Sequence, residues 1–555
     1  AMRADSFWFK HNRNLTYTPR TEEELGLLKV QLVRQKEVKD RAINVKSWIK
    51  QLEAGNWHKD SNISTEQRQW LDQLLNILVD GTGSQYWAEI SAILEWDSSI
   101  GISQENSLKR WLEIAGSPIS TSRLTLLRAN VRLNFSNKIY QDVERVIKIP
   151  LRKTKTIPEG VPTFTIDAVK TSDFDDAFSV LEWGKNGLVI AAHITDLSDF
   201  ILPDTPLFKE AEARISSVYS LEESIPMIPD ELSNNTFSLK EGLEKNVLSF
   251  IFQLSATGQW HFLEVVPRTI RVQKNLTYGE ADHLIKKGND FWGLLNKFCN
   301  KSLEQRLANG AINLARKEFN FDISNPKHIK IINLNRNSPA NRIIEELAIS
   351  VNSETGRIFQ QADFPGIYRT QSSYKIIKEV EAGSNLSMDN IQIESAKLST
   401  LPEKHAGLGC DVYMQVTSPI RRFLDLVTQH NLKLLIKKQE PIFSKEDMMR
   451  WATEISLRHR KYNRAEKDII KFWKLKYLKQ HLGEIFEAKI KKKRTNNNTE
   501  IELIELDIVL PSSGLTEHKD GDQLLLQIND VCLKPPKLSV KVMTNGTITD
   551  IHHID

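Results

Sequence analysis

Residues 165–180 read TIDAVKTSDFDDAFSV, and the four aspartates in this stretch, Asp167, Asp173, Asp175 and Asp176, decide how the rest of the chain is read. Carboxylates crowded at D-x-x-x-x-x-D-x-D-D spacing repel one another, and removing them together from water is costly. A fold tolerates such a cluster most easily when a cation neutralises it. Hard carboxylate oxygens with no cysteine or histidine beside them favour magnesium, or manganese, over zinc. Apolar Phe164, Ile166, Phe178 and Val180 flank the acids, which places the cluster against a core. A calcium loop of the EF-hand kind would want D-x-D-x-D-G with a closing glutamate, whereas Ala177 and Phe178 follow Asp176. The plain alternative is a solvated acidic turn. Magnesium held by carboxylates beside a phosphate is the apparatus of phosphodiester chemistry, so the stretch points to a reaction as well as a ligand.

Strand-like runs surround the cluster. TFTID (163–167), AFSVLEW (177–183) and GLVIAAHIT (187–195) alternate or run apolar, with a turn at GKNG between the last two. VLSFIFQLSATGQWHFLEVVPRTIRV (247–272) reads as a strand pair around a turn. Helical periodicity follows at about 278–307 and 341–360, and a long amphipathic helix is expected over 445–481. Residues 163–481 are thus expected to form a mixed α/β body. Before it, LRKTKTIPEGVP (151–162) has the Lys, Pro and Gly content of a linker.

Residues 1–150 read as a helical unit, with helix starts at TEEE, STEQ and NSLKRW. A winged helix, which would bind nucleic acid, is one form of such a unit; a helical domain that binds nothing is the other. Residues 482–555 carry short β-runs separated by Asn, Ser, Gly and Pro and are read as a barrel of the OB type. Lys489, Lys491, Lys492, Lys493 and Arg494 would decorate one of its strands, either to hold single-stranded nucleic acid or to keep an edge strand soluble. The expected fold class is multidomain α+β.

At 555 residues the chain calls for several domains. The net charge of +4 does not by itself announce a nucleic-acid binder, but the basic residues gather late, in TSPIRRF, LRHRKYNRAEK and AKIKKKR. Such stripes suit a phosphate backbone, though any one of them alone could be a solvated helix face. No apolar run is long enough to span a bilayer, and AMRADSFWFK lacks the apolar core of a secretory signal. Three widely spaced cysteines (Cys299, Cys410, Cys532) form neither a disulfide framework nor a zinc pattern, so a reducing compartment is expected: cytoplasm, with an organelle also allowed.

Hydrolysing a phosphodiester also needs positive groups on the non-bridging oxygens. YMQVTSPIRRFLDLVTQHNL (413–432) offers them: Thr417, Ser418 and Pro419 read as a turn opening a helix, and Arg421 and Arg422 could grip phosphate with forked hydrogen bonds. Asp425, four residues after Arg421, is placed to orient that arginine. An ordinary basic helix start is the alternative.

These segments together resemble the ribonuclease II and ribonuclease R (RNB) family of exoribonucleases. HITDLSDFI, SVYSLEESIPMIPDELSNN, IIEELAISVN and HAGLGCDVYMQVTSPIRRFLDL follow the aspartate stretch in the family's order. The resemblance implies a magnesium-dependent hydrolytic 3′→5′ exoribonuclease that degrades single-stranded RNA to 5′-mononucleotides. Asp167, Asp173, Asp175 and Asp176 match the metal-holding acids, with Asp175 the one most tied to cleavage, and Arg421 matches an arginine near the scissile phosphate. Tyr219 matches an aromatic that stacks on a nucleotide. Tyr278 and a glutamate of IIEEL, taken as Glu346 in preference to Glu345, match positions linked to ribose recognition. Single-stranded RNA is the partner, a monomer is expected, and neither membrane nor DNA is. Three departures stand out: helices replace the family's cold-shock barrels at the front, the terminal barrel is short and lysine-rich with few aromatic residues, and the residues around Gln415 and Asn431 differ. The alternatives are a catalytically inactive RNA-binding protein of the same fold and a nuclease that takes DNA or cuts internally.

Overall fold

The structure, a computed structural model, describes residues 7–11, 16–54, 63–97, 99–158, 160–288, 290–312, 318–334, 337–376, 391–493, 498–513, 515, 518–533, 536–544 and 547–552. By its packing the chain divides into Ala1–Asn130 and Val131–Asp555.

The first unit is helical: α1 (Glu22–Glu53), α2 (Thr65–Asp80), α3 (Trp87–Leu94), α4 (Ile102–Ile114) and α5 (Thr121–Arg128). Thr21 and Ser64 each cap their helix with a capping box, returning a side-chain oxygen to the N3 amide while Glu24 and Gln67 reach back. NSLKRW is not a start. The helix begins at Ile102, where Gln104 accepts from the Gly101 amide, and Asn106 lies inside it. Trp48, Trp70, Ile77, Ile90, Leu108 and Trp111 build the core. A hairpin (Phe9–His11 with Tyr17–Pro19) precedes the helices. Among the described residues no strand pair follows the helices.

The second unit opens with α6 (Asn137–Ile147) and is organised by a seven-stranded sheet. Its strands are β1 (Lys155–Thr156), β2 (Thr163–Asp167), β3 (Asp176–Gly184), β4 (Gly187–Thr195), β5 (Glu244–Ser255), β6 (Trp260–Arg271) and β7 (Lys274–Thr277), in the order β7-β2-β3-β4-β5-β6-β1. The outer pairs β7–β2 and β6–β1 are parallel and the rest antiparallel.

Side chains alternate across the sheet with period two. Phe178, Val180, Ile190, Ala192, Leu248, Phe250 and Phe252 face a core completed by α8 (Tyr278–Lys287), α9 (Phe291–Ala308) and α10 (Pro339–Gln361), with α7 (Pro206–Arg214) elsewhere in the unit. The intervening Ser179, His193 and Ser249 form a buried polar ladder, with His193 2.8 Å from Ser249 and 3.1 Å from Ser179. Helices α11 (Phe423–Ile436) and α12 (Lys445–Gln480) complete the body. Helix α11 is buried from Phe423 to Lys433, and the Lys433 ammonium meets Asp196 at 2.6 Å and Asp199 at 2.5 Å. Asn431 serves this packing, donating to the carbonyls of Pro365 and Phe443.

The last segment is a six-stranded antiparallel sheet curled into a half-barrel, which fits the OB type. Its strands are β8 (Ile485–Lys493), β9 (Asn498–Leu503), β10 (Ile508–Ser513), β11 (Gln523–Leu533), β12 (Pro536–Thr544) and β13 (Thr547–His552), ordered β10-β9-β8-β11-β12-β13. The basic run lies on β8, an interior strand, so its lysines protect no edge. Lys489 and Lys491 share Glu502 at 3.1 and 3.7 Å, a cross-strand charge pairing. Arg494 lies outside the described residues. Among the described residues no helix is long and apolar enough to cross a membrane.

Candidate active site

The aspartate stretch forms the end of β2, the start of β3 and the loop between them. Asp167 closes β2 and Asp176 opens β3. The loop is pinned by Phe174, which packs with Leu239, Val247, Ile270 and Val272. Its amide donates to Ser238 Oγ at 3.0 Å, and its carbonyl accepts from the Leu239 amide at 3.0 Å. Anchoring this one apolar residue fixes the acids on either side of it.

The second component arrives from 245 residues downstream. Asp175, only 4% exposed, accepts from the Ile420 amide at 2.8 Å through Oδ1 and from Arg421 Nε at 3.1 Å through Oδ2. Arg421 Nη2 also donates to Ser418 Oγ at 2.8 Å. The turn holding these residues is longer than the sequence implies: α11 begins at Phe423, with Arg422 at the N-cap position, and Pro419 precedes the helix. Asp425 therefore meets Arg422 rather than Arg421. Its Oδ2 accepts from Arg422 Nη2 at 2.6 Å, Arg422 Nε at 3.0 Å and the Ser418 amide at 3.0 Å. The one-residue shift follows from the turn: Arg421 lies outside the helix and so cannot pair with i+4.

The turn is stitched to the chain that leads to Tyr219. The Phe423 amide donates to the Ile215 carbonyl at 2.9 Å, the Ser217 amide donates to the Arg421 carbonyl at 3.0 Å, and Ser216 bridges to Arg422. Ile215 adopts φ 61°, a left-handed conformation costly for a β-branched residue, and its buried side chain and these bonds hold it there. Tyr219, 47% exposed, donates its hydroxyl to Asp173 Oδ2 at 2.9 Å. The tyrosine thus belongs to the acid cluster itself while its ring stays accessible.

Charge is unbalanced in this cluster. Burial raises Asp175 to about 8, against the pull of Arg421 and the Ile420 amide. Burial and then the charge of Asp176 raise Asp167 to about 7, and burial raises Asp176 to about 6 despite Arg421 and Arg422. Burial also presses on Arg421, but Asp175, Tyr219, Asp425 and Asp176 together hold its proton above the ordinary value. One guanidinium is well satisfied by several anions; several anions are poorly satisfied by one guanidinium.

This donor set, hard and over-supplied with negative charge, suits a divalent ion of the magnesium type by charge and chemistry. Among the described residues, however, no three ligating side chains converge tightly enough to ligate one ion. Asp175 is turned onto Arg421 and Ile420, and Asp173 onto Tyr219.

The remaining expected residues are placed as follows. Tyr278 opens α8 directly after Thr277, whose register partner is Asp167, and it packs half-buried against the sheet core. Glu346 is not brought to the site. It is buried, bound to Arg306 through both oxygens and to Ser302 Oγ at 2.7 Å. The face of α10 that borders Asp176 carries Ile344, Leu347, Ala348 and Val351, and Glu346 points the other way. Glu345, half-exposed, pairs with Arg342 at 2.6 Å.

Sequence reading missed Phe319 and Phe321. They line a cavity of about 530 Å³ with Tyr219, Ile469 and Lys474, and the Lys474 ammonium stands 5.3 Å from the Phe319 ring centre. The alternation in EFNFD was the available signal. Aromatic faces of this kind suit bases of any sequence.

A family model described as the RNB domain matches residues 158–438. Among curated proteins the chain is 25% identical over 382 residues to an uncharacterized ribonuclease of Synechocystis sp., covering 66% of this chain and 57% of that one. It is 27% identical over 376 residues to ribonuclease R of Thermotoga maritima, covering 58% and 53%. The chain spans about half the length of the curated relatives it matches. Among solved structures, an active-site mutant of the Dss1 exoribonuclease from Candida glabrata aligns with TM-score 0.69 at 18% identity, over 90% of this chain and 70% of that one. Mycoplasma genitalium RNase R in complex with ribose-methylated single-stranded RNA aligns with TM-score 0.66 at 16% identity, over 76% and 77%. Yeast Ssd1, a pseudonuclease, aligns with TM-score 0.55 at 13% identity, over 76% and 58%. At these identities the structural likenesses establish the fold.

Proposed function

Since the chain belongs to the RNB-domain family, we propose that it is a hydrolytic 3′→5′ exoribonuclease that degrades single-stranded RNA to nucleoside 5′-monophosphates. The observation that carries this reading is Arg421 held 3.1 Å from buried Asp175 among three further aspartates, a permanent cation placed beside a cluster of carboxyl groups where phosphate charge has to be met. Asp167, Asp173, Asp175 and Asp176 would hold Mg²⁺, or Mn²⁺; when bound, the ion supplies Lewis-acid stabilisation and an activated water.

The chain's own residues perform the rest. Arg421, oriented by Ser418, binds a non-bridging oxygen of the last phosphodiester and excludes bulk water from it. Asp175 is the catalytic carboxylate, and the Ile420 amide fixes its orientation. Arg422, fixed by Asp425, adds positive charge from the same turn. Tyr219 stacks a base and, through its hydroxyl, reports to Asp173. Phe319, backed by buried Phe321, extends the stacking surface, which favours an unpaired strand. Tyr278, beside Asp167, is assigned to the ribose, and Glu346 to positioning α10 through Arg306. Residues 163–481 form the catalytic body and 482–555 an RNA-binding barrel; the protein acts as a cytoplasmic monomer on RNA and not on DNA.

A second reading is a binding protein of the same fold that has lost its chemistry, which the turning of Asp175 onto Arg421 and Ile420 and of Asp173 onto Tyr219 favours. An assay on 5′-labelled RNA and DNA oligomers with and without Mg²⁺ separates the two. A ladder shortening from the 3′ end of RNA supports the exoribonuclease. RNA retention without shortening supports the binding protein, and one internal fragment rejects both.

A further inference from the structure

Arg422 also lines a cavity of about 1150 Å³ bounded by α12, residues 394–401 and the short strand Tyr368–Thr370. Neither Arg421 nor any of the four aspartates is in its wall. Four permanent cations, Arg369, Lys397, Arg422 and Arg460, face it; Lys397 is paired with Glu394 at 3.5 Å and Arg422 with Asp425 at 2.6 Å, which leaves Arg369 and Arg460 to carry the excess positive charge. Among the described residues no carboxylate lies within ion-pair distance of Arg369 or Arg460. Burial, then the charges of Arg369 and Arg422, drives the proton from His459 in the same wall. Burial, with Arg422 adding to it, also works against the Arg369 charge, which Tyr413 and Asp425 partly offset. Like charges gathered in a concave wall attract an anion.

The shape narrows the choice of anion. No Phe, Tyr or Trp lines the cavity, so it lacks the stacking faces that a single strand uses. The volume, about 1150 Å³, lies just above the range of clefts that enclose small ligands, about 300–1,000 Å³, and leaves room for a nucleotide with its water. A phosphate monoester concentrates about −1.5 to −2 of charge on one group, a closer match to converging cations than the single charge of a phosphodiester. We infer that this cavity binds the phosphate of a nucleoside 5′-monophosphate, receiving the product of the adjacent site. Arg369 and Arg422 hold the phosphate, with His459 as a further donor. The identity of the nucleotide rests on the exoribonuclease reading.

The test is equilibrium binding of 5′-AMP to the full chain by calorimetry in EDTA, with adenosine and a 5′-hydroxyl oligoribonucleotide alongside. 5′-AMP should bind at least about tenfold more tightly than adenosine. Arg369→Glu should weaken it about tenfold or more and Arg369→Gln by several-fold; Arg369→Gln decides the matter should Arg369→Glu melt early. Equal affinity for 5′-AMP and adenosine overturns the inference. So does a dissociation constant that moves with Asp175→Asn and not with Arg369. If the oligoribonucleotide loses the same factor on Arg369→Glu, the cavity is part of an RNA path and the product assignment is wrong. Because no cleavage is read, the two proposals fail separately. Binding without RNA degradation sinks the exoribonuclease alone, and degradation without binding sinks the product site alone.

Discussion

Replacing Asp175 with asparagine should make the metal-free protein more stable while abolishing cleavage. The carboxyl is ordinarily half-ionised at 3.8 and is raised to about 8 in the fold. At pH 7 the unfolded chain carries the charge and the folded chain holds the proton. That difference, at ~1.36 kcal/mol per pH decade, costs the wild type about 4 kcal/mol. A group raised in this way contributes stability below pH 3.8 and loses it as pH climbs toward 8. Asparagine escapes the cost but can accept only one of the two bonds now given by Ile420 and Arg421, a loss of about 1–3 kcal/mol. The net gain at pH 7 is about 1–3 kcal/mol, a rise of a few degrees in Tm, shrinking to near zero or reversing by pH 5. Thermal melts in EDTA at the two pH values measure it, and a 5′-labelled RNA assay with Mg²⁺ should show a rate at least about 10²–10³-fold lower with RNA binding retained. A variant less stable than wild type at pH 7, or one that still shortens RNA, refutes the picture of a buried carboxyl forced to keep its proton and serving chemistry at the expense of stability.

Four further outcomes are expected. Arg421→Lys keeps the charge but loses the fork that reaches both Asp175 and Ser418, so single-turnover cleavage should fall about 10²-fold or more; a loss under threefold would show that the fork is dispensable. Mg²⁺ binding should expel protons between pH 6 and 8, where Asp176, Asp167 and Asp175 hold them, and weaken steadily below pH 6; calorimetry in buffers of different ionisation enthalpy reads the release, and its absence removes these acids as ligands. Lys433→Met strands Asp196 and Asp199 beside a buried apolar side chain and should cost about 3–5 kcal/mol in denaturant titration. Burial lowers His193 to about 3 and His405 and His430 to about 4, so their contribution is full above pH 6.5 and lost as pH falls toward 4 and, for His193, toward 3; His193→Gln should flatten the acid limb of the stability curve between pH 6.5 and 3.

The sequence made the acid cluster legible because crowded carboxylates between apolar flanks admit few explanations, and the strands around it because their apolar runs are short and bounded by turn residues. Position within a turn was harder to read. SPIRR looks like a helix start, and the helix begins three residues after Ile420, which transfers Asp425 from Arg421 to Arg422. The choice between Glu345 and Glu346 depends on helix phase, and one residue is 100° of rotation; Arg306, which claims Glu346, lies 40 residues away in sequence. Phe319 and Phe321 sit on an isolated two-stranded hairpin whose pairing gives no hint of what it will face. The electropositive cavity joins residues from 215 to 463 and leaves no local signature at all.

The stitching of Ile215–Ser217 to Arg421–Phe423 makes one mechanical piece of two segments some 200 positions apart. If Tyr219 is the base platform proposed above, seating a base there would act along this short strained connection on the guanidinium beside Asp175. On that proposal, occupancy of the platform and alignment of the cation are a single event. Double-mutant cycles on Tyr219 and Arg421 should return energies far from additive, and a strand too short to reach the platform should lose turnover as well as affinity.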